Sequence, residues 1–356
     1  GDGSGEMGDN LPSVDLGSGR TARAISVGDG HTCVVFDNKS VKCWGLNNYG
    51  QLGLGDTDNR GDGSNEMGDN LPLTYIISPS FVAVGDQARI LTSSDNGTSW
   101  TTRYNDPSTT LNEVTYGDGT YVAVGYDGDI LTSPHGISWD NRTSGSSTDL
   151  RDVEYVNDFF ITVGGTTILA SSDGINWTSR TSGSGANLQA VTYGNGTLVA
   201  VGGTSLAKAI IITSSDNGTN WTTRIENSSK ELEDIVYGNG TFVTVGNSGT
   251  ILTSSDGTTW TSRTSNTSWT IFSVSYANGL YLAVGSQGTI LSSSNGTSWT
   301  EETSGTTQNL RAVTYANSTF VAVGAIILTS SDNGTTWILR SSYGTSNTLY
   351  GVTYTE

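Results

Sequence analysis

Short runs in which apolar and polar residues alternate follow one another along most of the chain, separated by turns rich in Gly, Asn, Asp and Ser. The pattern is clearest over residues 232–263, where four such runs occupy 232–237, 241–245, 250–253 and 260–263. Alternation of this kind predicts strands that bury one face, and Asn-Gly between two runs predicts a tight antiparallel turn. No stretch shows the period of a helix longer than one or two turns. The sequence therefore predicts an all-β chain.

The four-strand pattern recurs seven times along the chain. A tryptophan marks the last strand of each repeat, and successive tryptophans are 39, 38, 44, 39, 39 and 38 residues apart. They are Trp100, Trp139, Trp177, Trp221, Trp260, Trp299 and Trp337. A repeat of about 40 residues made of short strands is typical of β-propellers, in which each repeat forms one four-stranded blade.

The two ends of the repeat region predict how the ring closes. Residues 81–103 form an abbreviated first repeat, preceded by a reduced first strand at 73–75, whereas Leu349–Tyr354 has the pattern of a first strand with no blade of its own. Pairing that last strand with the first repeat leaves no free sheet edge. We therefore predict that residues 73–356 form a seven-bladed propeller closed by strands from both chain ends. A propeller of eight blades that includes the N-terminal segment is the alternative.

Residues 1–72 follow a different pattern. The run Glu-Met-Gly-Asp-Asn-Leu-Pro occurs at 6–12 and again at 66–72, and His-Thr-Cys at 31–33 and Val-Lys-Cys-Trp-Gly at 41–45 lie between the two copies. This segment resembles one repeat of the regulator of chromosome condensation family, together with the tail of a preceding repeat. The resemblance implies either an additional propeller blade or a separate module.

Cys33 and Cys43 are the two cysteines of the chain, and they flank a predicted hairpin centred on Asn38. The two positions face each other in such a hairpin, which is compatible with a cross-strand disulfide. We predict this disulfide, and with it an oxidising compartment; two reduced thiols are the alternative. Asn-x-Ser/Thr sequons along the repeats favour a glycosylated, secreted protein, although most of them coincide with Asn-Gly-Thr turns. We expect an extracellular or cell-surface location.

The charge of the chain limits its partners. The formal net charge is −18, which argues against nucleic acid, because phosphate backbones are bound by Lys and Arg. No run approaches the roughly 18 apolar residues that a membrane span requires, so we expect no membrane insertion. Acidity favours divalent cations, and Asp56, Asp58 and Asp62 lie in one oxygen-rich loop. We therefore interpret the acidity first as a source of solubility and predict no cofactor, with Ca²⁺ bound in this loop as the alternative.

A short motif precedes most of the repeat tryptophans. Ser-Ser-Asp-Asn-Gly-x-x-Trp or a shortened version surrounds the aspartates Asp95, Asp173, Asp216, Asp256 and Asp332. The motif resembles the Asp-box of bacterial neuraminidase repeats. An Asp that accepts backbone N–H groups, a Gly with positive φ and a packed Trp form a turn, so we interpret these five aspartates as structural. A sialidase also needs converging arginines and acids, whereas half of the arginines here occupy one repeated position three residues after the Trp. We therefore predict no catalytic residue.

Residues that depart from the repeat are the candidates for binding. They lie in loops and turns and are Tyr104, Tyr126, Asp129, His135, Trp269 and Tyr343. Aromatic rings and carboxylates on loops suit protein docking or sugar stacking. Residues 81–356 also resemble the photosystem II stability and assembly factor family, which implies a propeller that acts by protein binding. We predict a non-enzymatic extracellular module that contacts other proteins of a larger surface assembly. A glycan-binding, lectin-like propeller is the alternative, followed by a sialidase-like glycoside hydrolase.

Three arrangements distinguish these functions in a structure. A cluster of carboxylates with perturbed pKa values at one mouth of the channel favours an enzyme. Exposed aromatic side chains repeated on one face favour a lectin, and an apolar patch or lateral contacts favour a scaffold.

Overall fold

The computed structural model describes residues 13–37, 40–54, 56–72, 74–75, 80–204, 208–228, 230–342 and 347–355. The chain divides into two compact units, Gly1–Ile77 and Ser78–Glu356. Their described residues form eight four-stranded antiparallel sheets, which confirms the predicted all-β class. No helix within these ranges is long and apolar enough to cross a bilayer.

Seven of these sheets belong to the larger unit and are called blades 1 to 7. The first strands of successive blades contact one another around a central channel and are called the inner strands. From the inner to the outer strand, the blades are Leu349–Tyr354, Phe81–Gly85, Arg89–Ser93 and Thr101–Tyr104; Leu111–Gly117, Thr120–Gly125, Ile130–Ser133 and Asp140–Arg142; Asp152–Val156, Phe159–Gly164, Thr167–Ser171 and Thr178–Thr181; Asn187–Gly194, Thr197–Gly203, Ala209–Ser214 and Thr222–Ser228; Leu232–Gly238, Thr241–Gly246, Thr250–Ser254 and Thr261–Arg263; Ile271–Ala277, Leu280–Gly285, Ile290–Ser293 and Thr300–Glu302; and Leu310–Ala316, Thr319–Gly324, Ile326–Ser330 and Ile338–Ser342.

Blade 1 combines strands from both ends of this unit. Leu349–Tyr354 pairs antiparallel with Phe81–Gly85, as the sequence predicts. Each of seven hydrophobic clusters is built from two successive blades, and one of them packs Phe81 of blade 1 against Val321 of blade 7. Burial between neighbouring blades is thus the main source of stability, because a single blade has no core of its own.

The short strand before blade 1 belongs elsewhere than the sequence predicts. Thr74–Tyr75 pairs with Ser40–Gly45 and is the fourth strand of the sheet in the smaller unit, after Ala22–Val27 and His31–Phe36. The inner position of blade 1 is already filled by Leu349–Tyr354, so no second first strand fits there. The two compact units divide between Ile77 and Ser78.

The smaller unit contains the predicted disulfide. Cys33 and Cys43 face each other on neighbouring strands and are covalently bonded. Cys43 packs with Val41 and Leu52 in a small buried cluster. The cross-link therefore reinforces a core that is too small to contribute much hydrophobic stabilisation.

A β-bulge near the start of the inner strands places an additional residue at the channel mouth. In blade 2 the register shifts between Leu111 and Glu113, so that Asn112 is the inserted residue. The strand approaches its neighbour closely there, and a Cβ on Gly125 would overlap the carbonyl oxygen of Thr110. Equivalent glycines close to the end of the second strand explain the repeated Val-Gly pair of the sequence. The bulge directs one extra residue towards the channel.

Candidate functional site at the channel mouth

One end of the channel is lined by the residue that follows the first Leu or Ile of each inner-strand segment. In the order of blades 1 to 7 these residues are Tyr350, Asn112, Arg151, Gln189, Glu233, Phe272 and Arg311, and we call them the mouth ring. They border a cavity of about 130 Å³. The preceding position is Leu or Ile in all seven blades, whereas the ring itself contains six residue types. The fold therefore brings seven chemically varied side chains to one place.

Arg311 lies over two aromatic rings of the mouth ring. Its guanidinium carbon lies 3.9 Å from the centroid of Phe272 and 5.8 Å from that of Tyr350, which are cation–π distances. Its Nε is buried and has no hydrogen-bond partner within the described ranges, which also offer it no carboxylate at ion-pair distance. Arg311 is thus a positioned cation whose hydrogen-bonding capacity is not fully used.

Arg151 is compensated by its surroundings. Its Nη2 lies 3.0 Å from Oδ2 of Asp149, and its guanidinium carbon lies 5.2 Å from the ring centroid of Tyr126. The two arginines of the mouth ring therefore differ, because among the described residues Arg151 has a carboxylate at ion-pair distance and Arg311 has none.

Carboxylates occupy the next position of three inner strands. These bridging carboxylates are Glu113, Asp152 and Asp234. The N–H of Val191 in blade 4 donates to Asp152 of blade 3 at 2.7 Å, and that of Val274 in blade 6 donates to Asp234 of blade 5 at 2.8 Å. Glu113 accepts the N–H of Val114 at 2.9 Å and that of Val352 in blade 1. The three carboxylates satisfy backbone donors at the inner edge and tie neighbouring blades together.

Burial raises the pKa values of the bridging carboxylates. The pKa of Asp152 rises to about 7 because burial disfavours its charge, with the charge of Asp234 as the second cause. Burial raises the pKa of Asp234 to about 6, against the effect of its backbone hydrogen bonds. The pKa of Glu113 lies well above its usual range through burial and the charge of Asp152. Asp152 and Asp234 therefore gain protons as the pH falls through about 7 and about 6.

Two further acids lie beside them. Glu154 has a pKa well above its usual range, first through burial and then through the charge of Asp152. Its Oε1 accepts from the hydroxyl of Thr192 at 3.2 Å, and its buried Oε2 has no partner among the described residues. Glu233 of the mouth ring has a pKa of about 7 because of burial and then the charge of Glu231, opposed by the two ring arginines. Its carboxyl group borders the cavity.

Two predicted binding residues lie at the same end of the propeller as the mouth ring. Tyr126 is 37% exposed and lies over Arg151, and its N–H donates to the carbonyl of Thr110 just before the inner strand of blade 2. Trp269 is 50% exposed and lies two residues before the inner strand of blade 6. Asp129 is half-buried, and its N–H donates to the carbonyl of Tyr126.

The other predicted binding residues do not join this group. Tyr104 is partly buried in the cluster between blades 1 and 2. His135 lies in the turn between the third and fourth strands of blade 2, at the opposite end of the strands. Tyr343 lies outside the described residues. Among the described residues of the mouth end, the exposed aromatic side chains are Tyr126 and Trp269, and they occupy non-equivalent positions in their blades.

In the predicted calcium loop, the side chain of Arg60 pairs with Asp56, one of the three predicted ligands. Nη2 of Arg60 is 2.7 Å from Oδ2 of Asp56, whose Oδ1 accepts the N–H of Asp58 at 3.1 Å. Oδ2 of Asp62 accepts from the side chain of Asn59 at 3.4 Å. Across the described part of the chain, no group of three His, Cys, Asp or Glu side chains is arranged to hold a metal ion. The loop is therefore organised by internal ion pairing and hydrogen bonds.

The five Asp-box aspartates lie in the turn between the third and fourth strands of their blades. In blade 1, Asp95 accepts the N–H of Ser99 at 2.8 Å, and Trp100 Nε1 donates to the carbonyl of Gly97, whose φ is +78°. Backbone and side-chain donors of Asn220 lower the pKa of Asp216 to about 2. The same kind of hydrogen bonding lowers the pKa values of Asp173, Asp256 and Asp332. These carboxylates act within single blades.

The sequence contains one signal that points to the mouth ring. At each inner strand, an invariant Leu or Ile is followed by a position that changes from blade to blade, and then in most blades by a small residue or an acid. Variation at an equivalent position of a repeat marks residues that the fold itself does not specify. Recognising the site from this signal also requires the knowledge that the first strands are the inner ones.

Three sequence models of known families match parts of the chain. Two models of the Regulator of chromosome condensation (RCC1) repeat match residues 22–51 and 40–84, and the DUF6242 beta propeller domain matches residues 213–310. No curated protein matches the chain. These matches support RCC1-type repeats in the N-terminal part and a propeller in the larger unit.

Two solved structures are similar to this fold. One is "YCF48 bound to D1 peptide", at 17% identity and a TM-score of 0.56, covering 69% of this chain and 86% of that one. The other is YCF48 from Cyanidioschyzon merolae, at 14% identity and a TM-score of 0.57, covering 78% of this chain and 92% of that one. At this level of identity the similarity concerns the fold. The chain is therefore a β-propeller with RCC1-type repeats in its N-terminal part.

Proposed function

We propose that this protein is a non-enzymatic binding module whose channel mouth receives a segment of a partner protein. The observation that carries the proposal is the mouth ring, in which equivalent positions of seven repeats hold six residue types around one cavity. A purely structural position would repeat, as the preceding Leu or Ile does. Varied donors, acceptors and aromatic rings that converge on one cavity suit the recognition of one specific ligand.

The surroundings of the ring favour a peptide over a small metabolite. The cavity of about 130 Å³ is smaller than typical small-molecule sites of roughly 300–1,000 Å³. It is large enough for one side chain, and Tyr126 and Trp269 at the same end offer further apolar contact area. Tyr and Trp are enriched among the residues that dominate protein interfaces. One similar propeller, YCF48, is described as bound to a D1 peptide, which supports the proposal of peptide binding.

The disulfide of the smaller unit bears on where the protein acts. The Cys33–Cys43 disulfide supports an oxidising compartment, and we propose that the protein acts outside the cell or on its surface, beside other proteins of a larger assembly.

A peptide array tests the proposal directly. The protein is applied to immobilised random eight-residue peptides, in parallel with a variant in which Phe272→Ala and Tyr350→Ala remove both aromatic rings of the mouth. We expect the wild type to retain a defined set of peptides and the variant to lose most of them. Retention of no peptide by a folded wild-type protein, or equal retention by both proteins, would contradict the proposal.

A second candidate function rests on the cluster of acids with raised pKa values. Such a cluster at a channel mouth is the arrangement expected of an enzyme, and a group with a pKa near 7 suits general acid–base catalysis. Backbone N–H groups already occupy Glu113, Asp152 and Asp234, so we favour a structural role for these three. A glycan array, read for retained protein and by mass spectrometry for released sugar, separates the alternatives. Release would establish a glycoside hydrolase, and retention without release a lectin.

A further inference from the structure

We propose that the group received by the channel mouth is a carboxylate of a partner peptide, bound by the guanidinium of Arg311. This inference rests on the proposed function, and it names the chemistry that the mouth ring recognises.

The first argument is the state of Arg311 within the protein. A buried N–H donor of a guanidinium is normally paired, because an unpaired charged donor is costly to desolvate. Arg311 has a buried Nε without a partner in the described part of the chain, and no carboxylate lies within ion-pair distance there. The ring stacking by Phe272 and Tyr350 holds the plane of the group but satisfies none of its N–H donors.

The second argument is the geometry that such a group presents. The N–H groups of a guanidinium lie in its own plane, so an aromatic ring that lies against its face, as Phe272 does at 3.9 Å, leaves them directed sideways. Two of these donors match the two oxygens of a carboxylate, and this planar pairing is the strongest contact that Arg forms with a small acceptor. A cavity of about 130 Å³ accommodates a carboxylate and the end of the side chain that carries it.

The third argument concerns the acids of the same cavity. Glu233 would repel a bound carboxylate when it is ionised, but burial raises its pKa to about 7. The charged groups that act on it are Glu231, Arg311, Arg151 and Asp234. Of the other acids at the mouth, Glu113, Asp152 and Asp234 accept backbone N–H groups. A carboxylate ligand should therefore bind best when Glu233 is neutral, and its affinity should fall as the pH rises through about 7.

The test compares peptides and arginines in matched pairs. Two arrays of eight-residue peptides with random flanks carry either Glu or Gln at one central position, and the best pairs are then measured by fluorescence anisotropy at pH 6. We expect Glu peptides to bind about tenfold more tightly than their Gln counterparts. Arg311→Gln should abolish this preference. Arg311→Lys should weaken it, because Lys keeps the charge but loses the two parallel donors.

Arg180→Gln is the control. Arg180 also has a buried Nε without a described partner, but it lies on the outer strand of blade 3, and its replacement changes the net charge equally. The preference for Glu should survive in this variant. In Glu233→Gln, the decline of affinity between pH 6 and pH 8 should become smaller, and the remainder is due to Asp152, which lines the same cavity and has a pKa of about 7. Thermal unfolding of each variant shows whether it is folded, and Arg311→Lys keeps the test valid if Arg311→Gln is not.

The outcomes separate the two proposals. Equal binding of Glu and Gln peptides, or a Glu preference that persists in Arg311→Lys and Arg311→Gln, would overturn the carboxylate inference and leave peptide binding intact. Absence of binding to either array by the wild-type protein would overturn both.

Discussion

The acidic side chains of this propeller fall into two regions with opposite properties. At the channel mouth, Asp152 and Asp234 are half-buried, and partial removal from water raises their pKa values to about 7 and about 6. In the outer turns, the Asp-box aspartates are exposed and accept several local hydrogen bonds, which lower the pKa of Asp216 and Asp332 to about 2. One residue type thus serves two purposes. The inner acids connect different blades, whereas the outer acids close a turn within one blade.

The difference explains which positions repeat and which do not. An outer turn meets the same surroundings in each blade, so the same solution recurs, as in Ser93 with Asp95 and Ser330 with Asp332. An inner residue meets the residues of other blades at one shared axis. Seven identical charges at the axis would repel one another, so the inner positions must differ. Repetition therefore marks the fold, and variation at the axis marks the site.

The largest expected difference between the two regions concerns stability. Asp152→Ala leaves the N–H of Val191 buried without its acceptor, together with that of Val153, which also hydrogen-bonds to the carboxylate. Each unsatisfied buried donor costs about 1–3 kcal/mol, so we expect the free energy of unfolding to fall by about 3 kcal/mol. In the outer turn, Asp173→Ala exposes its donors to water, and we expect a loss of about 1 kcal/mol. Urea unfolding at pH 6 measures both values.

Asp152→Asn is the matched control for the inner variant, since the amide oxygen still accepts an N–H. It should recover more than half of the stability lost in Asp152→Ala. Equal losses for Asp152→Ala and Asp173→Ala would show that the inner carboxylates are not bridges between blades.

The next effect is the dependence of stability on pH. The pKa of Asp152 is about 7 in the folded protein and close to 3.8 when unfolded, so the folded state holds a proton that the unfolded state has released between these values. The contribution of Asp152 to the free energy of unfolding is complete below about pH 4. It is lost as the pH rises through about 7. We expect stability to decrease by about 2–3 kcal/mol between pH 5 and pH 8. The outer aspartates have lowered pKa values, so their contribution is lost as the pH falls from about 4 towards 2.

Thermal unfolding from pH 2 to pH 9 should therefore show a maximum near pH 4 to 5. The double variant Asp152→Asn with Asp234→Asn should flatten the alkaline side and leave the acidic side unchanged. General repulsion within a chain of net charge −18 also decreases on acidification. If the alkaline decline persists in full in the double variant, general repulsion and not the bridging carboxylates is its cause.

Patterns within short segments of the sequence predicted the strands and two of the contacts between them. Alternation of apolar residues predicted the strands, and the lone strand at Leu349–Tyr354 predicted its pairing with Phe81–Gly85. The hairpin around Asn38 predicted the Cys33–Cys43 disulfide. Thr74–Tyr75 was assigned to the wrong sheet, because a strand of two residues carries no pattern that distinguishes between two partners.

The mouth ring could not be predicted in the same way. Arg311, Phe272 and Tyr350 are far apart in sequence, and their contacts depend on a bulge and on the convergence of seven strands. The exposed residues Tyr126 and Trp269 were recognised because they break the repeat in loops, where irregularity is visible. Irregularity inside a strand is harder to recognise, since the strand pattern around it remains intact.

The smallest expected effect is on the free energy of unfolding. It comes from a substitution that gives blade 3 a hydrogen bond found in other blades. In five blades an arginine Nε donates to a threonine hydroxyl on the third strand, as Arg103 does to Thr92 at 2.8 Å. Blade 3 has Ala170 at the threonine position, and Nε of Arg180 is buried without a partner among the described residues. Ala170→Thr should supply the missing acceptor and raise the free energy of unfolding by about 1 kcal/mol. Ala170→Val has the same shape without the hydroxyl and should bring no such gain. A gain of equal size in both variants would attribute the effect to packing, and a gain from Thr that survives Arg180→Gln would exclude the hydrogen bond as its source.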